Sequence, residues 1–294
     1  MRIYIKKHNS HAGKWIYQGY KSAWEHLGYD TKYYSDLNEI EGDDYYLMVI
    51  DADVNFSNIK HLHRAKKVFL YAQPNKFPLP WGAHPNFVSL CPVDVITEIN
   101  KLDNVHNWCF GMVGEYHERW DNVLEIPLAF DSINYEPIKD ESYEYDVCFV
   151  GGWADNGFNE KKKIMLQHFG ALMQQDLKCG IFINKNLSHE QENKLLYNSK
   201  VALNIHDNYQ RVLSLDTNER TFKSLGLNGV LLTDRNKQID KYFSNVIFYD
   251  SPKEMVKKVK EHVTISNEQM RQENRELVRS KHTYIVRARQ LEDL

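Results

Sequence analysis

The chain has 294 residues, 42% of them hydrophobic and 26% charged, which describes a globular protein with room for two domains and excludes a wholly disordered one. A formal net charge of −3 argues against gripping nucleic acid by bulk electrostatics, though it leaves a local basic patch open. No run of 18 apolar residues occurs, and the opening MRIYIKKHNS lacks an apolar core, so neither a membrane span nor a signal peptide is expected. Cys91, Cys109, Cys148 and Cys179 are widely spaced with no CxxC pair and read as buried free thiols of a reducing cytoplasm.

In chain order, residues 2–6 read as a strand and 8–14 as a polar loop. Residues 15–27 carry Trp15, Ile16, Tyr20, Ala23, Trp24 and Leu27 at helical spacing, and Gly28 is positioned to end that helix. Strands are predicted at 30–34, 46–50, 68–72 and 87–90. The run 46–50 is apolar throughout, as a strand buried on both faces should be. A second alternation starts at Asp146, with strands at 147–150, 180–183, 201–205, 230–233 and 246–249. Helices fall between them at about 160–174, 189–197 and 218–227, and helical segments follow at 253–263 and 268–291. Residues 126–143 hold Pro127 and Pro137 and no clear period, so they read as a linker between an N-terminal domain, 1–125, and a C-terminal one, 144–270. The prediction is α/β: two Rossmann-like domains facing a central cleft, where ligands bind at the carboxyl ends of the strands. Fold by itself gives no function, so the site residues must.

The most informative stretch is 216–234, DTNERTFKSLGLNGVLLTD. Asp216 or Thr217 can cap a helix, Phe222 and Leu225 share a face, and Asn228-Gly229 suits a left-handed turn into a buried strand. A helix start offers free N–H groups and a positive dipole end, which suits a diphosphate, and Arg220 adds a planar cationic fork in the first turn. Elsewhere Asp51 and Asp53 follow an apolar strand as possible acid/base groups or mere turn residues, and Gln73, Asn75 and Lys76 follow the next one. His8 and His11 form only an HxxH pair with no third ligand, so no metal site is expected. The run Lys161-Lys162-Lys163 reads first as a solvated helix face and second as a phosphate contact.

The string NERTFKSLGLNGVLLTD resembles the CgeB/YkvP-like glycosyltransferases, together with IPLAFDSINYEP, YDVCFVGGW, LYNSKVALNIH, FYDSPKEMVKKV and HTYIVRARQL in the same order. That resemblance covers roughly residues 125–290 and implies a GT-B fold whose last segment, 271–294, returns to brace the N-terminal domain. It implies that Asn218 and Arg220 hold the nucleotide diphosphate, that Gly151 and Gly152 let the donor approach the backbone, and that Asn204 and His206 face the donor. Related transferases carry a glutamate directly after the phenylalanine to bond the ribose; here that residue is Lys223, leaving Glu219 as the candidate. The N-terminal domain is then expected to hold the acceptor and the catalytic base, Asp51 in preference to His11. The implied activity is sugar transfer from a nucleotide sugar, a UDP-sugar, to a hydroxyl acceptor, without metal or other cofactor, in the cytoplasm of a bacterial or phage-infected cell. The acceptor is a glycan or surface polymer, or a hydroxymethylated base of phage DNA. The alternative is a catalytically idle nucleotide- or sugar-binding module on the same fold, for which Lys223 speaks.

Overall fold

The computed structural model describes residues 1–8, 11–85, 87–153 and 158–294, with His11 described by its backbone alone. The chain packs into two compact units, one of residues 1–127 with 284–294, the other of residues 128–283.

The first unit contains β1 (Arg2–Lys6), α1 (His11–His26), β2 (Asp30–Tyr34), β3 (Tyr46–Ile50), α2 (Lys60–Arg64), β4 (Lys67–Tyr71), α3 (Val93–Ile99), β5 (Val105–Cys109) and β6 (Leu124–Glu125). All six strands are parallel, in the order β2-β1-β3-β4-β5-β6. The middle residues of β1, β3 and β4 are buried, as a sheet covered on both faces requires. Helix α1 begins at His11, four residues before the apolar periodicity reveals it, and buries Ile16, Tyr20, Ala23 and Trp24. Gly28 closes that helix region at φ +90°, a conformation that favours glycine.

The strand expected at 87–90 does not form. Two prolines, Pro85 and Pro92, flank this stretch, Phe87 N–H closes a turn on His84, and Leu90 is exposed. The sheet is completed instead by β5, whose VHNWC sequence is half polar; Asn107 is tolerated inside because its Nδ2 donates to the Asp121 carbonyl at 2.8 Å.

The second unit contains β7 (Val147–Gly151), α4 (Lys161–Met173), β8 (Cys179–Ile183), α5 (His189–Asn198), β9 (Val201–Asn204), α6 (Asn208–Val212), α7 (Glu219–Leu227), β10 (Leu231–Asp234), α8 (Lys237–Tyr242), β11 (Ile247–Tyr249), α9 (Pro252–Thr264) and α10 (Glu268–Lys281). Its five parallel strands run β11-β10-β9-β7-β8. The supposed linker is part of this packing: Leu128, Ala129, Phe130 and Tyr135 are buried, and Asp131 accepts from the Ile133 and Asn134 backbone N–H groups. The terminal helical stretch is two helices. The chain breaks at His282, α10 packs on α7 in the second unit, and α11 (Tyr284–Glu292) packs on α1 in the first, where Tyr284 lies against Tyr20. So residues 271–283 brace the second unit, and only the last helix joins the first.

Each sheet reverses its strand order once, between β1 and β3 in the first unit and between β7 and β9 in the second. Such reversals open a crevice at the carboxyl ends of the strands, the usual ligand position in an α/β sheet. Among the described residues the cysteines are free thiols, and no helix is long and apolar enough to cross a membrane.

Candidate active site

In the second unit Arg220 lies at the strand-order reversal, bonded to the ends of β7 and β9. Helix α7 starts at Glu219 with Asn218 as its N-cap, in place of the expected Asp216 or Thr217, and Phe222, Leu225 and Leu227 bury its apolar face completely. Its other end is closed by Gly229 at φ +83°, while Asn228 keeps helical angles. That anchorage throws Arg220 across the strand ends. Its Nε donates to the Val150 carbonyl at 2.6 Å, its Nη1 donates to Asn204 Oδ1 at 2.9 Å, and the guanidinium stacks 4.3 Å over the Phe149 ring. A Cβ at Gly151 would overlap the guanidinium, so the glycine makes room for Arg220. Gly152 likewise makes room for Asn184 Oδ1, where direct approach of a ligand was expected. Burial pulls the Arg220 pKa down to about 10, which leaves it charged at neutral pH. Two of its five N–H donors serve the bonds to Val150 and Asn204, so donor capacity remains.

Asn204 and His206 lie at the end of β9 but are fully buried behind Arg220 instead of facing open space. Asn204 Nδ2 donates to Thr221 Oγ1 at 3.0 Å and lies 3.3 Å from His206 Nε2. His206 Nδ1 is 2.8 Å from Asp234 Oδ1, and Nε2 is 2.8 Å from Thr217 Oγ1. The network closes if Nδ1 carries the proton and Nε2 accepts. Burial alone would raise the Asp234 pKa; His206 and Arg211 outweigh it and hold the carboxylate down to about 2. These residues fix the far side of Arg220.

The start of α7 has unmet polar capacity. Asn218 makes no side-chain cap bond, and its buried Oδ1, like that of Asp216, has no partner among the described residues. Burial pushes Glu219 up to about 7, against the pull of Lys223. Lys223 itself is paired with Glu192 at 2.6 Å, its ammonium 5.2 Å from the Tyr135 ring centroid. Tyr135 also donates to Glu192 at 2.8 Å. The lysine therefore replaces the expected glutamate with a locally neutralised cation.

Lys161 was obscured in the sequence by its neighbours. Lys162 and Lys163 are exposed, but Lys161 at the head of α4 turns inward and donates to the Ile205 carbonyl. Burial, with Arg220 nearby, brings its pKa down to about 7. Helical spacing sets Lys161 apart from the other two: Ile164, Met165 and His168, three, four and seven positions on, form the buried face of α4.

In the first unit Asp51 follows β3 at the crevice but has no exposed surface. Its Oδ1 accepts from its neighbour Ala52 N–H at 2.8 Å, and its Oδ2 accepts from the half-buried Ser89 hydroxyl. Ser89 Oγ in turn accepts from Cys91 N–H at 3.1 Å. Burial lifts the Asp51 pKa to about 6. Direct contact of this carboxylate with an acceptor is closed off; Ser89 stands at its edge. Asp53 pairs with Lys6 at 2.9 Å, and the His8 ring stacks on Tyr17 at 4.2 Å. The His11 side chain lies outside the described residues. Of the other polar candidates, the Gln73 carbonyl accepts from the Trp120 indole, Asn75 Oδ1 from Arg119 N–H, and Lys76 sits 3.7 Å from Glu118.

Comparison with known proteins bears on this arrangement. The family described as "Glycosyl transferase-like" matches residues 135–293. Among solved structures, a DNA-modifying beta-glucosyltransferase, studied with and without uridine diphosphoglucose, is similar with a TM-score of 0.57 at 13% identity, over 100% of this chain and 98% of that one. The T4 phage BGT complex with UDP-glucose gives 0.55 at 12%, over 100% and 98%. An alpha-glucosyltransferase with UDP-glucose and DNA containing an abasic site gives 0.59 at 10%, over 98% and 95%. At these identities the likeness is one of fold, and the fold is GT-B. The curated proteins give no match.

Proposed function

This chain belongs to the glycosyl transferase-like family and is a glycosyltransferase, and from that premise we propose that it moves sugar from a UDP-sugar to a hydroxyl acceptor without a metal ion. Within the family we assign it to the CgeB/YkvP-like branch, on its six ordered segments from IPLAFDSINYEP to HTYIVRARQL. The observation that carries the reading is Arg220, braced on three sides at a strand-order reversal with N–H donors to spare. A rigid cation of that kind stabilises a leaving diphosphate without reorganising. Lys161 and the N-terminal N–H groups of α7 add to the same task, Asn218 Oδ1 and Glu219 offer polar contacts to the nucleoside, and Asn204 and His206 hold Arg220 in position. UDP-glucose in two proteins of the same fold supports a UDP-sugar as donor.

The base we assign is Asp51 acting through Ser89. As the acceptor oxygen bonds to the sugar's anomeric carbon, its proton passes to Ser89 Oγ, and the Ser89 proton passes to Asp51 Oδ2. The bond from the anomeric carbon to the diphosphate breaks, and UDP leaves with its charge held by Arg220 and Lys161.

Titration calorimetry with UDP tests the donor site. Arg220→Ala is expected to weaken binding by roughly 1.5–3 kcal/mol, the loss of a charge-assisted bond to phosphate. Unchanged affinity would mean that the diphosphate binds elsewhere. A second reading, an idle binding module, draws on Lys223 standing paired with Glu192 where relatives have a glutamate. UDP-glucose hydrolysis in the absence of acceptor separates the two, because only an enzyme turns the donor over.

A further inference from the structure

The first unit has a concavity of about 540 Å³ along α1, β2 and the end of β1, and lysines ring it. Lys7 comes from the end of β1, while Lys14 and Lys21 share one stripe of α1 with Tyr17; the Tyr33 ring of β2 forms the far wall. Lys7 and Lys14 are exposed, and of the three lysines only Lys21 is drawn into an ion pair among the described residues, with Glu25 one turn on. The Lys21 ammonium lies 5.9 Å from the centroid of the Tyr33 ring, which is 40% exposed. His8, stacked on Tyr17, has a buried Nε2 with no partner among the described residues. A chain of net charge −3 has therefore gathered three cations, an imidazole and an aromatic face in one hollow.

Spacing decides what fits. Lys14 and Lys21 are separated by seven residues of helix, so by about 10 Å along its axis. One phosphate cannot bridge them. Phosphates along one nucleic-acid strand advance about 3.4 Å per residue along the duplex axis, so a run of three or four spans the gap. A hollow also suits a ridge of backbone better than a flat lipid surface. We propose that this hollow binds the phosphate backbone of a nucleic acid; resting on the glycosyltransferase reading, the acceptor is then a hydroxyl carried by that nucleic acid. The lysines fix the strand, and the sugar-transfer chemistry stays with the groups described above.

The test is fluorescence anisotropy of the full chain with a short fluorescein-labelled DNA duplex and no UDP-sugar, across a salt series. The wild-type protein is expected to bind at low salt with a steep salt dependence. The triple variant Lys7→Gln, Lys14→Gln, Lys21→Gln is expected to bind at least tenfold more weakly, and its log–log salt slope should fall by about 2.7, at about 0.9 per lost phosphate contact. The corresponding triple arginine variant keeps the charge and should bind like wild type. The proposal is overturned if wild type does not bind the duplex, if the glutamine variant keeps its affinity and slope, or if the arginine variant fails as well, which would assign the lysines to folding. Binding to phosphatidylserine vesicles in place of the duplex would also overturn it. UDP affinity measured on the same samples reads the donor site separately: duplex binding without UDP binding leaves this site standing and removes the donor reading.

Discussion

Asp51 was legible as a carboxylate after a buried strand, but its lid was not. Ser89 lies 38 positions away in a stretch that the sequence presents as a strand, so the pair exists only once that stretch turns back over β3. Burial makes the charged form costly and sets the folded pKa near 6, above the ordinary value of 3.8. A raised carboxyl pKa means that the native state favours the proton: stability is full below the unfolded value and falls as pH rises through about 6. The cost of ionisation is on the order of 3 kcal/mol. Asp51→Asn should therefore flatten the dependence of the urea midpoint on pH between 4 and 7. In turnover the sign is opposite, because only the ionised form accepts a proton. Wild-type kcat/KM should fall as pH drops through about 6, and Asp51→Asn should lose about 10² at pH 8 with UDP affinity intact. Normal turnover by the variant would put the base elsewhere.

At the scale of elements, β7 and α7 meet in one side chain. Arg220 needs the empty face of Gly151, and its Nε needs the Val150 carbonyl, so the strand end and the helix start depend on each other. Gly151→Ala should displace the guanidinium and lower UDP affinity tenfold or more. Combined with Arg220→Ala, it should cost little further, because both changes remove the same interaction. Additive losses in that double-mutant cycle would show that Gly151 serves the ligand directly. Helix α7 was readable because its apolar stripe and its closing glycine, Gly229, are local, although its N-cap is Asn218 and not Asp216 or Thr217. Its relation to Gly151 was not, since Gly151 and Arg220 stand 69 positions apart and nothing in the intervening sequence traces the contact. Lys161 was read with its neighbours as solvated although its spacing from Ile164, Met165 and His168 puts it on the buried face of α4; what the fold alone supplied is its bond to the Ile205 carbonyl.

For the whole molecule, the proposed chemistry relies on fixed side-chain cations to balance the diphosphate, and this predicts that transfer survives EDTA. Activity abolished by chelation and restored by Mn²⁺ or Mg²⁺ would show that a metal shares that charge. The order of the five strands in the second half, the helices α4, α5 and α7 between them and the family likeness were legible in the sequence, because period and ordered motifs are short-range properties; the short helices α6 and α8 were not, being too brief to show a period. Long-range packing decided the rest. It drew 128–143 into the second unit, split the terminal helical stretch at His282, and built the first sheet with half-polar β5 in place of 87–90. It also turned Asn204 and His206 from expected ligand contacts into the buried support of Arg220, and gathered Lys7, Lys14 and Lys21 on one side of a net-acidic chain. A side chain's residue type fixes what it can bond; only the folded neighbours decide whether that capacity is spent inside the protein or left for a ligand.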